Sequence, residues 1–204
     1  MSTAKRAQKT RDMVFLAMMS AIVVVLQIIC TFIKFGPFSI TLALAPIIIG
    51  AALYGGRGGA TLGFAFGLVV FVTGLLGWDG GFVNILMGYS PLGTTLLCFV
   101  KGIAAGWVAA LLYKLIEKKS SLAAVVAAGI AAPIVNTGLF ALGILTIFSD
   151  FLASSASAEG TSPVALLFIG WIGINFIVEL IVNMALATVI NRTIALARRE
   201  RARF

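Results

Sequence analysis

Six long apolar stretches, separated by short polar breaks, run along the chain. Their approximate bounds are 13–33, 38–54, 60–77, 92–113, 122–148 and 163–190. Each can cross about 30 Å of hydrocarbon as an α-helix that rises roughly 1.5 Å per residue. The breaks are rich in glycine, serine and charged residues, which is typical of inter-helix loops. The pattern predicts an all-α membrane protein, a bundle of six transmembrane helices that forms a single domain over residues 1–204.

The second stretch is shorter than most of the others and carries Pro46. A proline inside a helix removes a backbone donor and kinks the helix. We therefore expect this segment to be kinked or partly re-entrant. The region 82–91 is a second candidate for a segment that dips into the membrane.

Composition supports lipid as the solvent. Of the 204 residues, 61% are hydrophobic and only 11% are charged, and the mean hydropathy is +1.12. Soluble domains carry roughly 25% charged residues. The polar surface that a water-facing globule needs is therefore missing.

Basic residues cluster in the breaks that would share one side of the membrane. They fall in the N-terminal segment 1–12, at Arg57, in the break 114–119 and in the C-terminal tail 192–204. Because short loops rich in Lys and Arg stay in the cytoplasm, both termini are predicted to be cytoplasmic. This asymmetry, with anionic headgroups, accounts for the net charge of +8, so we expect no nucleic-acid binding.

The residues that most enzyme mechanisms need are missing. The sequence has no histidine, and its seven acidic residues are scattered singly, which leaves neither a catalytic triad nor a metal-ligand cluster. The glycine-rich break 55–59 lacks the spacing of a phosphate-binding loop. We predict that the chain is not an enzyme, holds no cofactor or metal, and cannot hydrolyse ATP by itself.

Polar residues inside the apolar stretches are the informative ones, because polar groups in hydrocarbon usually face the bundle interior. Trp171, Asn175, Glu179 and Asn183 recur every four residues in the last stretch. That spacing drifts by only about 40° per step at 3.6 residues per turn. The pattern predicts one polar face that points inward along much of the membrane depth.

Lys101 and Asn136 lie in two other stretches, at a depth similar to that of Asn175. Counting roughly 1.5 Å per residue from the outer helix ends places all three about 15 to 18 Å deep. Such a polar layer near the midplane predicts a small-molecule site. Hydrogen-bonding and aromatic side chains nearer the outer mouth complete the candidate set: Trp78, Asn84, Tyr89 and Trp171.

Each of these residues also has a purely structural interpretation. Lys101 and Glu179 would neutralise each other if the lysine stretched inward. Asn136 and Asn175 would serve equally as interhelical hydrogen-bond donors and acceptors. The tryptophans suit the aromatic belt at the membrane interface. Glu179 is a candidate ligand contact, although its greater depth of about 24 Å also favours a structural role.

Three short motifs follow one another along the first half of the chain: AMMSA at 17–21, LAPIIIGA at 44–51 and GRGGATLGFAFG at 56–67. In this order, behind a short basic N-terminus and within six helices, they resemble the substrate-binding S component of energy-coupling factor (ECF) vitamin transporters. The resemblance covers nearly the whole chain. It implies a multi-pass receptor of the bacterial cell membrane that binds a water-soluble vitamin from the outer side.

The same resemblance implies protein partners. An S component works with a transmembrane coupling subunit and two cytosolic ATPases, and its Ala-x-x-x-Ala pair contacts the transmembrane partner. Ala17 and Ala21 occupy those positions here.

The substrate is the least determined part of this interpretation. The central stretch is most similar to members for pantothenate, and an intramembrane Lys101 suits a carboxylate. Folate and niacin are also anionic, whereas neutral riboflavin would use the rings of Trp78 and Trp171. We expect pantothenate. The alternative function is a self-sufficient secondary carrier or channel that uses Glu179 for proton coupling.

Overall fold

The fold is a bundle of long helices, seen in a computed structural model that describes residues 3–35, 38–39 and 41–202. The helices are α1 (Thr3–Thr31), α2 (Leu44–Leu75), α3 (Phe82–Tyr89), α4 (Pro91–Ile116), α5 (Ser121–Thr146), α6 (Ser149–Ala158), α7 (Pro163–Ala165) and α8 (Ile174–Ala202). A π-helical segment, Leu166–Gly173, joins α7 to α8. Two short antiparallel strands, β1 (Lys34–Phe35) and β2 (Phe38–Ser39), lie between α1 and α2. The predicted class of all-α membrane protein is confirmed.

The number of long helices differs from the six predicted segments. In the part of the chain that the structure describes, five helical stretches are long and apolar enough to cross a membrane: Gln8–Thr31, Leu44–Leu75, Pro91–Ile116, Ser121–Thr146 and Pro163–Glu200. The difference arises in α2, which contains most of both predicted segments, 38–54 and 60–77.

Helix α2 is interrupted at Gly55, whose φ of 66° and ψ of −157° are not helical. A Cβ added to Gly58 would lie 2.7 Å from the carbonyl oxygen of Gly50. In a continuous helix, residues eight apart are separated by about 12 Å. The two arms, 44–54 and 56–75, therefore fold back on each other. The first arm is only about 16 Å long. Pro46 lies in its first turn, where a proline is tolerated, and the kink expected from Pro46 is found instead at Gly55.

The second arm of α2 packs closely against α4 through glycines. A Cβ added to Gly63 would collide with the backbone carbonyl of Gly102, and one added to Gly67 would lie 2.6 Å from the carbonyl oxygen of Cys98. Small residues allow this close approach, which provides van der Waals contact between helices in lipid. This packing fixes the position of α4, which also contributes residues to the cavity wall described below.

Two buried apolar clusters fill the bundle. One is built around Ile47, Phe66 and Tyr113, and the other around Leu86 and Trp171. A cavity lined by members of both clusters lies between them.

The terminal helices α1 and α8 meet at one end of the bundle, where α8 also contacts the C-terminal end of α4. The Arg11 guanidinium donates to the backbone oxygen of Glu200 at 2.9 Å. Arg198 donates to the backbone oxygen of Ala52 at 3.2 Å and pairs with the Glu117 carboxylate at 2.6 Å. These contacts bring Arg11 and Arg198 to the same end of the bundle. The cytoplasmic location of the termini stays a prediction. Residues 1–2 and 203–204 of the predicted tails lie outside the described residues.

Candidate functional site

The cavity is bordered by α1, α2, α3, α4, α5 and the helix that runs from the π-helical segment into α8. It contains about 880 Å³ of space, part of which is open to solvent. Polar side chains on its wall are Gln27, Thr41, Asp79, Thr94, Lys101, Asn136, Thr137, Asn175 and Glu179.

Four of these residues hold buried polar atoms that have no hydrogen-bond partner among the described residues. The atoms are Gln27 Oε1, Asn136 Oδ1, Asn175 Oδ1 and Nδ2, and Glu179 Oε2. An unpaired buried polar atom costs about 1–3 kcal/mol, and more when it is charged. Most buried polar groups in proteins are therefore paired. Because all four residues face one cavity, the arrangement indicates a site for a hydrogen-bonding ligand.

Lys101 supplies the positive charge of the site. Its side chain is half-buried, and its Nζ lies 5.4 Å from the centroid of the Phe140 ring, a cation–π contact. Across residues 3–35, 38–39 and 41–202, no carboxylate lies within 4 Å of this ammonium. The direct neutralisation of Lys101 by Glu179 that the sequence left open is not formed. The ammonium is thus available to an anionic ligand.

Glu179 is 6% exposed and contributes a carboxylate to the same wall. The hydroxyl and the backbone N–H of Thr41, in the segment that leads into α2, donate to this carboxylate. The side chain of Asn183 donates to the backbone oxygen of Glu179 at 2.9 Å. The connection between α1 and α2 therefore reaches the α8 polar face and helps to form the cavity.

Aromatic rings cover another part of the site. The rings of Phe82 and Trp171 meet edge to face with centroids 5.7 Å apart, and Phe151 lies 5.7 Å from Trp171. Such pairs contribute roughly 0.5–1.5 kcal/mol beyond the area they bury. These ring contacts connect α3, α6 and the π-helical segment. The rings of Phe82 and Trp171 also line the cavity and give it apolar surface beside the polar groups.

The structure brings five of the eight predicted ligand contacts to the cavity wall: Lys101, Asn136, Trp171, Asn175 and Glu179. Their roles in binding remain predictions.

The other three candidates do not line the cavity. Trp78 is 42% exposed and contacts Phe32, with ring centroids 5.6 Å apart. Asn84 is exposed and donates to the backbone oxygen of Leu75 at 3.3 Å. Tyr89 is 53% exposed. A predicted position near the outer mouth does not fix the direction in which a side chain points, and these three side chains lie outside the cavity lining.

Sequence reasoning missed several wall residues. Gln27 is the one amide in the first apolar stretch, so the criterion that selected Asn136 would have found it. Asp79 also lines the cavity, and its oxygens accept hydrogen bonds from the N–H groups of Gly81 and Val83, both at 2.9 Å. Thr41 carried no usable signal, because threonines are common in loops and apolar helices.

Ala17 and Ala21 lie on α1, and both are exposed. A contact with a partner protein requires such exposure, and their interface role stays a prediction.

These features define the class of the protein: a multi-pass, α-helical membrane protein with an internal site for a small polar molecule. The chain matches the sequence model of the family "ECF transporter, substrate-specific component" over residues 11–191. It belongs to that family. Membership confirms the family indicated by the ordered motifs, and it confirms that the chain is a transporter component rather than an enzyme.

One curated relative matches a shorter stretch. The chain is 42% identical over 71 residues to the "Pantothenic acid transporter PanT" of Lactococcus lactis subsp. cremoris (strain MG1363). The match covers 33% of this chain and 36% of the relative, about a third of each.

Proposed function

We propose that this chain is the pantothenate-binding subunit of an ATP-driven ECF importer. The observation that carries the proposal is a single cavity that joins five unpaired buried polar atoms to a lysine with no carboxylate nearby among the described residues. The partial similarity to a pantothenic acid transporter supports this choice of substrate.

Pantothenate matches the chemistry of the cavity. It has one carboxylate, a central amide and two hydroxyl groups. The Lys101 ammonium binds the carboxylate through a charge-assisted hydrogen bond, which recovers part of the cost of taking the anion out of water. Asn136 and Asn175 present amide groups that can pair with the ligand amide. Aromatic surface from Phe82 and Trp171 contacts the dimethyl part of the molecule.

The proposed orientation in the cell membrane follows from charge. The end of the bundle that holds both terminal helices and the α4–α5 loop carries most of the basic residues, so it faces the cytoplasm. We propose six membrane passes, in which the segment 38–54 crosses separately from the arm 56–75, because the chain reverses at Gly55. Binding then takes place from the outer side, near α3 and the aromatic rings.

Transport requires further subunits in this proposal. The chain has no phosphate-binding loop, so two cytosolic ATPases supply the energy through a transmembrane coupling subunit. Ala17 and Ala21 offer small side chains on the outside of α1, where another helix can approach closely.

The test is ligand binding by the isolated chain. We expect purified protein in detergent to bind pantothenate in a one-to-one complex, seen by native mass spectrometry and isothermal titration calorimetry. Folate, niacin and riboflavin serve as competitors, and each should bind more weakly. Absence of pantothenate binding, or tighter binding of a competitor, would contradict the proposed substrate.

A further inference from the structure

The two oxygens of the Glu179 carboxylate differ in their surroundings. Thr41 donates to the carboxylate from its hydroxyl and its backbone N–H. Oε2 is buried and has no hydrogen-bond partner among the residues described. Asn183 bonds to the backbone of Glu179, not to its side chain. One oxygen of a carboxylate that lines the cavity is therefore left without a hydrogen-bond partner in the described part of the chain.

Among the described residues, no cation forms an ion pair with the Glu179 carboxylate. Lys101 lines the same cavity, yet its ammonium does not come within 4 Å of Glu179. The cavity thus carries a positive group and a negative group that are held apart. A ligand that fills it meets the two groups with different parts of its structure.

Acceptors outnumber donors among the unpaired buried atoms of the site. Four of the five are oxygens, on Gln27, Asn136, Asn175 and Glu179. An amide side chain can turn to present either its oxygen or its nitrogen. An ionised carboxylate has acceptors only. In its ionised form Glu179 therefore requires a hydrogen-bond donor in the ligand group beside it.

We propose that Glu179 is a specificity-determining residue, which accepts a hydrogen bond from a hydroxyl or N–H group at the end of the ligand remote from its carboxylate. The cavity then selects monocarboxylates that carry donors at the opposite end. A second carboxylate would be repelled by Glu179, and a purely apolar end would leave Oε2 unpaired. This inference rests on the proposed function, because it assumes that Lys101 holds the ligand carboxylate.

The experiment compares two ligands on three proteins by isothermal titration calorimetry in detergent. The ligands are pantothenate and its dideoxy analogue, which keeps the carboxylate and the amide but lacks both hydroxyl groups. The proteins are the unaltered chain, Glu179→Gln and the matched control Glu117→Gln. Glu117 pairs with Arg198 outside the cavity.

We expect the unaltered chain to bind pantothenate at least about 100-fold more tightly than the analogue, because sites built to hydrogen-bond a hydroxyl reject ligands that lack it. In Glu179→Gln the ratio should fall by about tenfold or more, since a charged acceptor becomes a neutral one. Glu117→Gln should keep the ratio of the unaltered chain.

Equal affinity of the unaltered chain for both ligands would overturn the role of Glu179 and leave pantothenate binding intact. An unchanged ratio of the two affinities in Glu179→Gln would likewise overturn the role of Glu179 and leave pantothenate binding intact. The comparison on the unaltered chain decides the question even if the variant does not fold. Failure to bind either ligand would instead overturn the proposed function, and this inference with it.

Discussion

Lys101 illustrates how one residue can be costly for folding and useful for binding. Its ammonium lies within an otherwise apolar helix and contacts the Phe140 ring at 5.4 Å, with no carboxylate within 4 Å in the described ranges. Charged groups within the membrane are expensive and usually face the protein interior. In the proposed complex, the ligand carboxylate restores to this ammonium the hydrogen bonds that water would have supplied.

Replacement of Lys101 by alanine should therefore weaken pantothenate binding. We expect the dissociation constant to rise by about 10- to 100-fold, since hydrogen bonds to charged groups are worth roughly 1.5–3 kcal/mol. Isothermal titration calorimetry measures the change. Lys114→Ala, on the same helix but exposed and outside the cavity wall, is the matched control and should bind normally. Equal affinities of the two variants would show that the ligand carboxylate is held elsewhere.

The sequence predicts the helical part of the candidate site better than the loops. The four-residue repeat brings Trp171, Asn175 and Glu179 to one wall because helix geometry fixes which residues share a face. Thr41 reaches Glu179 through a connection whose path depends on tertiary packing. Tyr89 is a candidate because it lies near the expected outer mouth. That position gives no information about the direction of its side chain, which is exposed.

Helix α2 is the element whose shape most affects the count of membrane passes. Glycines on both sides of Arg57 predict a break, and the structure has a non-helical residue at Gly55. Both arms nevertheless remain helical up to this residue, so the predicted loop between them has almost no length. Hydropathy can detect two apolar segments, but it cannot state whether a tight reversal or a long helix joins them.

The π-helical segment Leu166–Gly173 has no signal in the sequence pattern. π-Helical turns are rare and occur frequently at functional sites, and this one carries Trp171 against Phe82 and Phe151. Asn175 and Glu179 follow in regular helix α8, which preserves their common face.

The contact between α2 and α4 makes a prediction about stability. In Gly63→Ala the new methyl group would meet the Gly102 carbonyl, so we expect a loss of about 1–3 kcal/mol from overpacking. Gly138→Ala in α5 has open space at this position and should be neutral or gain up to roughly 1 kcal/mol. Thermal unfolding in detergent compares the two. Equal stability of both variants would contradict the close packing.

At the scale of the whole molecule, the polar groups that line the cavity lie apart from the charged end of the bundle. The cavity lies between two apolar clusters, whereas Arg198, Glu117 and the terminal helices meet at one end of the bundle. Composition predicted the membrane class because it depends on the average solvent of the whole chain. The bundle therefore provides the substrate-specific component, and we propose that other subunits supply the energy.

Uptake of labelled pantothenate into proteoliposomes tests this account most directly. Vesicles with the chain alone should bind the vitamin without concentrating it, whereas vesicles with the coupling subunit, both ATPases and ATP should accumulate it. Ala17→Leu should keep binding but reduce this accumulation at least about tenfold by blocking close helix approach, and the exposed Ala185→Leu on α8 should not. Concentrative uptake by the chain alone would contradict the account and identify a self-sufficient carrier.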